Sequence, residues 1–316
     1  GASTQAIPLY DKFVTQAKKL NPRYLSMIIP SRWYAGGMGL DSFRTEMLTG
    51  GKIECIVDYP NAKDCFPGVS LGGGVCYFLW NREYNGDCLF TNVNNGKSTT
   101  LMRKLDEFPV FVRYNEAVGI IHKVLGKNEK SMVSLASSLS PFGIGSSERG
   151  TPIKKDNDII LFSSKGLGYY PREKIKQGKE YLGKYNIMIS KVTSEHAGEP
   201  SKDGMFKVIS KMQILKPFEA CTFSYFLIGN FDSYEESENC LKYLSTKFAR
   251  FLLLQAISSI NISKDKFRFV PVQDFSKPWA DEELYKKYDL TDEEIAFIES
   301  MIKPMELKGD VDDGKS

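Results

Sequence analysis

Basic and aromatic residues alternate in the middle of the chain, and together they can hold phosphate groups. The run from Lys165 to Lys174 contains two lysines, one arginine and two tyrosines. Residues 130–216 hold 15 Lys and Arg against 8 Asp and Glu, whereas residues 277–316 hold 6 against 12. A basic segment interleaved with aromatic residues is typical of a phosphate-contacting surface, although a solvated face can have the same composition. The middle of the chain is therefore one candidate site.

Arg32 and Trp33 form a second candidate, because they follow an apolar run at residues 24–29. In an α/β sheet the ligand-binding loops follow the carboxyl ends of the strands. At such an edge Arg32 could hold a phosphate, and Trp33 could either wall a pocket or cap the sheet. The segment from Asp58 to Gly68 follows the next apolar run and is the other loop expected in this position.

Alternating helices and strands are predicted to position these two loops. Apolar residues at three- and four-residue steps predict two amphipathic helices, one over residues 8–20 and one from Leu40 that ends at Gly50-Gly51. The apolar runs at residues 24–29 and 53–59 predict strands, the first of them buried on both faces. This order of elements favours a parallel sheet.

Three further strands are expected at the edge of this sheet. Short apolar runs at residues 69–71 and 75–80 flank three glycines, and residues 88–90 follow the turn signal Asn85-Gly86. We predict these runs as antiparallel strands.

The last third of the chain is expected to be structural. An apolar stripe from Leu241 to Gln255 predicts one core helix, framed by strands at residues 223–228 and 267–270. The sequence Thr291-Asp292-Glu293-Glu294 predicts a capping box that opens another helix.

Composition limits the class of protein. The chain has 316 residues, of which 42% are hydrophobic and 12% aromatic, and this excludes a disordered protein. No apolar run approaches the roughly 18 to 20 residues of a membrane span, and no signal segment is recognisable, so we expect a cytoplasmic protein with no membrane partner. Six cysteines without C-x-x-C spacing predict reduced thiols, and we expect no structural metal.

Several motifs, taken in order, carry a resemblance to a known family. They are Ile28-Ile29-Pro30-Ser31-Arg32-Trp33, Asp41-Ser42-Phe43-Arg44, and Cys65-Phe66-Pro67-Gly68-Val69 leading into Gly74-Val75-Cys76-Tyr77-Phe78-Leu79-Trp80. They resemble the later catalytic motifs of the gamma-class adenine-N6 DNA methyltransferases of type II restriction–modification systems, which are separate methylase subunits or fused restriction enzymes. In that family a target-recognition domain follows, and Ser140-Pro141-Phe142-Gly143 and Asp158-Ile159-Ile160-Leu161-Phe162 resemble parts of it. The second of these runs is also similar to a strand of type I specificity subunits.

The resemblance implies a fold, a reaction and a set of site residues. The fold would be α/β, with a partial doubly wound methyltransferase sheet followed by an α+β target-recognition domain. The parent protein would transfer a methyl group from S-adenosyl-L-methionine to adenine N6 in double-stranded DNA. Such an enzyme swings its target base out of the stack, and Phe66, on a loop stiffened by Pro67, would stack on the extruded adenine. Arg32 and Trp33 would lie at the same cleft.

Three family elements are absent from the chain: the glycine-rich S-adenosyl-L-methionine loop, the family's acidic ribose ligand, and the catalytic motif of Asn or Asp, two prolines and an aromatic residue. Asn21-Pro22-Arg23-Tyr24 mimics that motif, but Arg replaces the second proline and an amphipathic helix precedes it. We therefore expect the carboxyl-terminal portion of a methyltransferase, inactive alone and without tight S-adenosyl-L-methionine binding. Its N-terminal catalytic half, or a partner restriction or methylase subunit, would lie elsewhere.

Two other functions remain open from the sequence. One is a non-enzymatic DNA specificity subunit that partners a separate catalytic chain. The missing family elements are equally compatible with such a subunit. A protein-interaction domain with no nucleic-acid role is the third hypothesis, in which the basic segment is only solvated.

The domain boundaries follow from the resemblance. Residues 1–100 would be the carboxyl-terminal half of the methyltransferase domain, 101–130 a linker helix, 131–305 the target-recognition domain and 306–316 a flexible acidic tail. Candidate DNA contacts lie on or beside predicted loops of the recognition domain: Lys165, Tyr169, Arg172, Lys191, His196 and Lys202. Their Lys and Arg side chains would mostly bind phosphates, whereas His196 could reach base edges.

Overall fold

The computed structural model describes residues 8–69, 71–94, 96–195, 200–201, 203–257 and 261–306. These residues form two compact units, the N-terminal unit (residues 8–119) and the C-terminal unit (residues 120–306). The predicted acidic tail falls, apart from Glu306, outside the described residues. None of the described helices has the length and apolar character that crossing a membrane requires.

The N-terminal unit is a five-stranded sheet in which one α-helix precedes each of the first two strands. Its elements are α1 (Tyr10–Lys19), β1 (Tyr24–Pro30), α2 (Asp41–Thr49), β2 (Ile53–Tyr59), β3 (Val75–Asn81), β4 (Cys88–Asn94) and β5 (Lys97–Arg103). The order across the sheet is β1-β3-β2-β4-β5. The predicted helices and first two strands are thus confirmed, as is the mixed α/β class.

The sheet is mixed, and the prediction of a parallel sheet with its antiparallel strands at the edge is wrong. β3 is antiparallel to β1 and to β2 and lies between them. β4 is parallel to β2, and β5 is antiparallel to β4. Because β1 and β2 both oppose β3, they run parallel to each other and their carboxyl ends lie at the same edge. The strand predicted at residues 69–71 does not form, since Val69 and Leu71 lie in a loop.

Both helices pack on one face of this sheet. Val14 of α1 and Phe43 of α2 join Ile29, Ile56 and Phe78 of the first three strands in one buried cluster. Hydrophobic burial of this kind, rather than helix propensity, supplies most of the stability of such short helices.

The other face, which we call the open face, is apolar and exposed. Five large side chains on it are between 38% and 55% exposed: Tyr24, Ile28, Tyr77, Leu89 and Met102. The strand registers align two rows of residues across it, Ile28-Tyr77-Val57-Thr91-Thr100 and Ser26-Leu79-Cys55-Leu89-Met102. Neither row contains a charge. The prediction that β1 is buried on both faces is therefore wrong, and an exposed apolar surface of this kind marks an interaction site.

The C-terminal unit is α+β. Helix α3 (Asn115–Gly126) leads into it, and its other elements are β6 (Asp158–Ser163), β7 (Gly166–Pro171), α4 (Lys179–Leu182), β8 (Tyr185–Ser190), β9 (Met212–Leu215), β10 (Glu219–Cys221), β11 (Tyr225–Phe231), α5 (Tyr234–Ser245), α6 (Lys247–Ala256), α7 (Asp281–Lys287) and α8 (Asp292–Met301). Its two three-stranded sheets have the orders β10-β6-β7 and β11-β8-β9.

Three local predictions in this unit can be compared with the structure. The single core helix expected up to Gln255 is two helices, because the chain breaks at Thr246, whose hydroxyl caps α6 by accepting from Ala249. Residues 264–269 form a 3₁₀ helix and not a strand. The capping box of Thr291 and Glu294 at the start of α8 is confirmed.

Candidate functional site

The two loops singled out from the sequence meet at the carboxyl edge of β1 and β2. The Ser31 backbone N–H, directly after β1, donates to the carbonyl of Gly74, which ends the long loop after β2 (3.0 Å). The Ser31 hydroxyl donates to Oδ1 of Asp58, near the end of β2 (2.9 Å). The end of β1 is therefore joined to the end of β2 and to the last residue of the loop that follows it.

A buried ionic network holds this edge together. Asp58 is fully buried and accepts from Nε and Nη2 of Arg113 at 2.7 and 2.8 Å. Asn92, near the end of β4, donates its amide to Oδ2 of Asp58 (3.2 Å) and to the carbonyl of Arg113 (3.1 Å). The backbone N–H of Asn115 donates to Oδ1 of Asn92 (2.9 Å), which extends the network to the start of α3. Four separate segments are thereby fixed around one carboxylate.

Electrostatics favours the charged form of Arg113. Burial opposes the charge on Arg113, but the adjacent Asp58 carboxylate outweighs it and raises the pKa of the guanidinium above its usual value. The guanidinium also lies 5.6 Å from the ring centroid of Tyr34, within reach of a cation–π interaction. Burial raises the pKa of the neighbouring Cys76 thiol to about 11, so this thiol stays protonated at neutral pH.

Phe66 lies on the loop that this network anchors. Its side chain is 40% exposed. Its backbone is fixed on both sides, since its N–H donates to the carbonyl of Ala62 (2.8 Å) and its carbonyl accepts from Val69 (2.9 Å). Pro67 beside it is also exposed. An exposed ring on a closed turn can present one of its faces to a planar ligand.

Arg32 and Trp33 have different environments although they are adjacent. Arg32 is exposed and follows β1, with its Cα next to Gly73. Trp33 is fully buried and packs against Tyr34 and Phe43, with ring centroids 4.5 and 5.8 Å away. The expectation that Trp33 walls a pocket is wrong, because its indole belongs to the core of the unit.

The candidate DNA contacts in the C-terminal unit do not form one cluster. Lys165 is exposed in the turn between β6 and β7, whereas Arg172 follows the other end of β7, about 17 Å away along a six-residue strand. Arg172 lies over the ring of Phe218, and Lys191, after β8, lies over the ring of Phe223. Tyr169 is half-buried and exchanges backbone hydrogen bonds with Thr151. His196 and Lys202 lie outside the described residues.

Sequence reasoning missed the residues that build the buried network. The strand Ile53–Tyr59 is apolar apart from Glu54 and Asp58, and the carboxylate of Asp58 was a usable signal, because a buried carboxylate requires a partner. Its partner Arg113 lies 55 residues further along the chain, with no local pattern that could connect the two.

With this geometry described, the chain can be compared with known proteins. Residues 1–66 match the family model of Eco57I restriction-modification methylases. An uncharacterized adenine-specific methylase of Mycoplasma pneumoniae is 34% identical over 96 residues. That alignment covers 29% of this chain and 23% of the relative, so the chain spans about a quarter of the length of the curated relative that it matches. These sequence matches confirm the predicted resemblance to adenine-specific methylases of restriction–modification systems.

One solved structure is also similar, that of the Type IIL restriction-modification enzyme MmeI in complex with DNA. It is 9% identical, with a TM-score of 0.39, and the similarity covers 82% of this chain and 40% of that chain.

Proposed function

We propose that this chain is the DNA-recognition portion of a site-specific adenine-N6 DNA methyltransferase of a restriction–modification system. The observation that carries the proposal is the methylase match over residues 1–66, which ends at the exposed, backbone-fixed Phe66. In this proposal the donor-binding and catalytic motifs belong to polypeptide outside this chain, and S-adenosyl-L-methionine serves the parent protein. The C-terminal unit would read double-stranded DNA.

The proposed task of the N-terminal unit is to hold the target adenine. An extruded base must gain new contacts, because flipping costs a few kcal/mol, and stacking on one aromatic ring returns roughly 1 to 3 kcal/mol. Phe66 supplies one ring, and the Asp58–Arg113 network keeps its loop in place as a positioning device. Arg32, exposed at the same edge, would contact a phosphate. Methyl transfer itself needs groups that this chain lacks.

Replacement of Phe66 by alanine should weaken the capture of an unpaired base by about tenfold, which is the loss of roughly 1.4 kcal/mol of stacking. The probe is a duplex with a mismatched 2-aminopurine, whose fluorescence rises when the base leaves the base stack. Extrusion from a mismatch costs least, so stacking dominates the signal. Val69→Ala is the matched control, because Val69 is a similarly exposed residue of the same loop. Equal titrations for the wild type and Phe66→Ala would refute the stacking role.

The open face supports the second part of the proposal, that further polypeptide completes the methyltransferase. Two uncharged rows of side chains cross the five strands on this face. If helices packed on them, as α1 and α2 do on the other face, this apolar surface would be buried away from water. Labelled methyl groups transferred to DNA by this chain alone would contradict this part.

DNA binding by the chain should depend strongly on salt. Lysine and arginine contacts release counterions, and each neutralised phosphate contributes about −0.9 to the slope of log affinity against log salt. If Lys165, Arg172 and Lys191 each neutralise one phosphate, the slope is about −2.7. Fluorescence anisotropy with labelled duplexes measures it directly. A flat response, or no binding at low salt, would refute the proposed function and favour a protein-interaction domain.

A further inference from the structure

Phe223 is an exposed aromatic residue at the end of the C-terminal unit where β6, β8, β10 and β11 meet. Its side chain is 43% exposed. Its backbone segment is fixed by three hydrogen bonds: Thr222 donates to Phe162 (3.0 Å), Phe223 donates to Ile144 (2.8 Å), and Lys191 donates to Ser224 (3.1 Å). The ring therefore stands on rigid backbone although it faces solvent.

Three lysines belong to the same end of the unit. The ammonium of Lys191 lies 2.7 Å from the centroid of the Phe223 ring. Lys211 lies 6.0 Å from the ring of Tyr225, and its carbonyl accepts from Ser190, the last residue of β8. Lys165 occupies the turn after β6, whose last residue, Ser163, accepts a hydrogen bond from the Tyr225 hydroxyl (3.4 Å).

The ammonium groups of these lysines are available to bind an external anion. Within the described part of the chain, no carboxylate forms an ion pair with Lys165, Lys191 or Lys211. Burial lowers the pKa of Lys191, so its partly desolvated ammonium gains most from an anionic partner. Lys191 covers the ring face and would uncover it by moving to a phosphate.

We infer that Phe223 is a DNA contact, inserted at a base step of the bound duplex while Lys165, Lys191 and Lys211 hold the flanking phosphates. Apolar side chains that wedge between base pairs unstack them partly and gain aromatic contact with the exposed base. The inference rests on the proposed function, since it names the residues through which the C-terminal unit would grip DNA. Phe223 carries no charge and was not among the contacts predicted from sequence.

The test is anisotropy with random-sequence 30-base-pair duplexes across a salt series. Phe223→Ala should bind about tenfold more weakly with an unchanged salt slope, because stacking releases no counterions. Phe223→Trp should restore the affinity, which shows that the alanine variant fails through loss of the ring. Lys191→Ala should reduce the magnitude of the slope by about 0.9.

The matched controls are Tyr234→Ala and Lys184→Ala. Tyr234 contacts Tyr185 edge-to-face at the opposite end of the β8–β11 pair, about 20 Å from Phe223 along the strands. Lys184 forms an ion pair with Asp232 at the same end. Both controls should bind like the wild type. If the wild type binds with a salt-dependent affinity but Phe223→Ala binds equally well, the inference is wrong and the proposed function stands. If the wild type does not bind, both fail.

Discussion

Replacing Asp58 with alanine is expected to lower the free energy of unfolding of the N-terminal unit by about 3 to 5 kcal/mol. Asp58 is fully buried, and its carboxylate accepts hydrogen bonds from Arg113, Ser31 and Asn92. Removing it leaves the guanidinium without its counter-charge and the Ser31 hydroxyl without its acceptor, and the Asn92 amide keeps only the carbonyl of Arg113. The penalty is larger than the net value of the pair, because uncompensated groups remain in the interior.

Tryptophan fluorescence can follow this unit separately. Two of the three tryptophans, Trp33 and Trp80, belong to the N-terminal unit, so a Trp279→Phe background leaves only their emission. Urea titration in that background gives the free energy of unfolding. The control is Glu83→Ala, which breaks the exposed ion pair with Arg23 and should cost less than about 1 kcal/mol. Similar losses for both variants would show that the buried network does not stabilise this edge.

The predictions from sequence succeeded where structure is set by neighbouring residues. The bounds of β2, Ile53–Tyr59, and the end of α2 before Gly50 follow from short-range apolar spacing and a helix-terminating glycine. The capping box at Thr291 is another local pattern, in which two side chains satisfy backbone groups within four residues.

The predictions failed where the structure depends on segments that are distant from one another in the sequence. The position of β3 between β1 and β2 depends on strand pairing across the unit, and no local pattern in Val75–Asn81 encodes it. Trp33 could equally have lined a cleft, because a tryptophan in a loop carries no signal for its burial. The exposure of the open face was missed for a related reason. The apolar residues of β1 predict that the strand is buried, but they do not indicate whether a segment of this chain covers it.

The site combines a rigid hydrogen-bonded network with an exposed aromatic ring. Asp58 is buried and Arg113, its ion-pair partner, is half-buried, whereas Phe66, eight residues after Asp58, is exposed. In the proposed function the ring must meet a base in a defined geometry, and rigid support holds such a contact group in place. The network would then position Phe66 in addition to stabilising this edge.

Gly74→Ala should be the most damaging small substitution at this site, with a loss of about 4 kcal/mol or more in the stability of the N-terminal unit. A Cβ atom at this position would lie 2.1 Å from the carbonyl oxygen of Tyr59, 2.6 Å from that of Pro60 and 2.8 Å from Nη2 of Arg113. Two of these atoms are backbone and cannot rotate away. The loop must therefore move, and with it the bond from Ser31 to Gly74 and the support of Phe66.

Gly73→Ala is the matched comparison, because it separates crowding from backbone strain. Gly73 has a φ of +85° and Gly74 a φ of +78°, so alanine pays a similar conformational cost at each, about 1 to 2 kcal/mol. At Gly73, however, the nearest atom to the added Cβ is the Cα of Arg32 at 4.0 Å, an ordinary van der Waals distance. Urea titration of both variants by Trp33 and Trp80 emission should give a difference of at least about 2 kcal/mol. Equal losses would mean that positive φ alone explains Gly74, and that the tight packing of the two loops contributes nothing to the edge on which Phe66 depends.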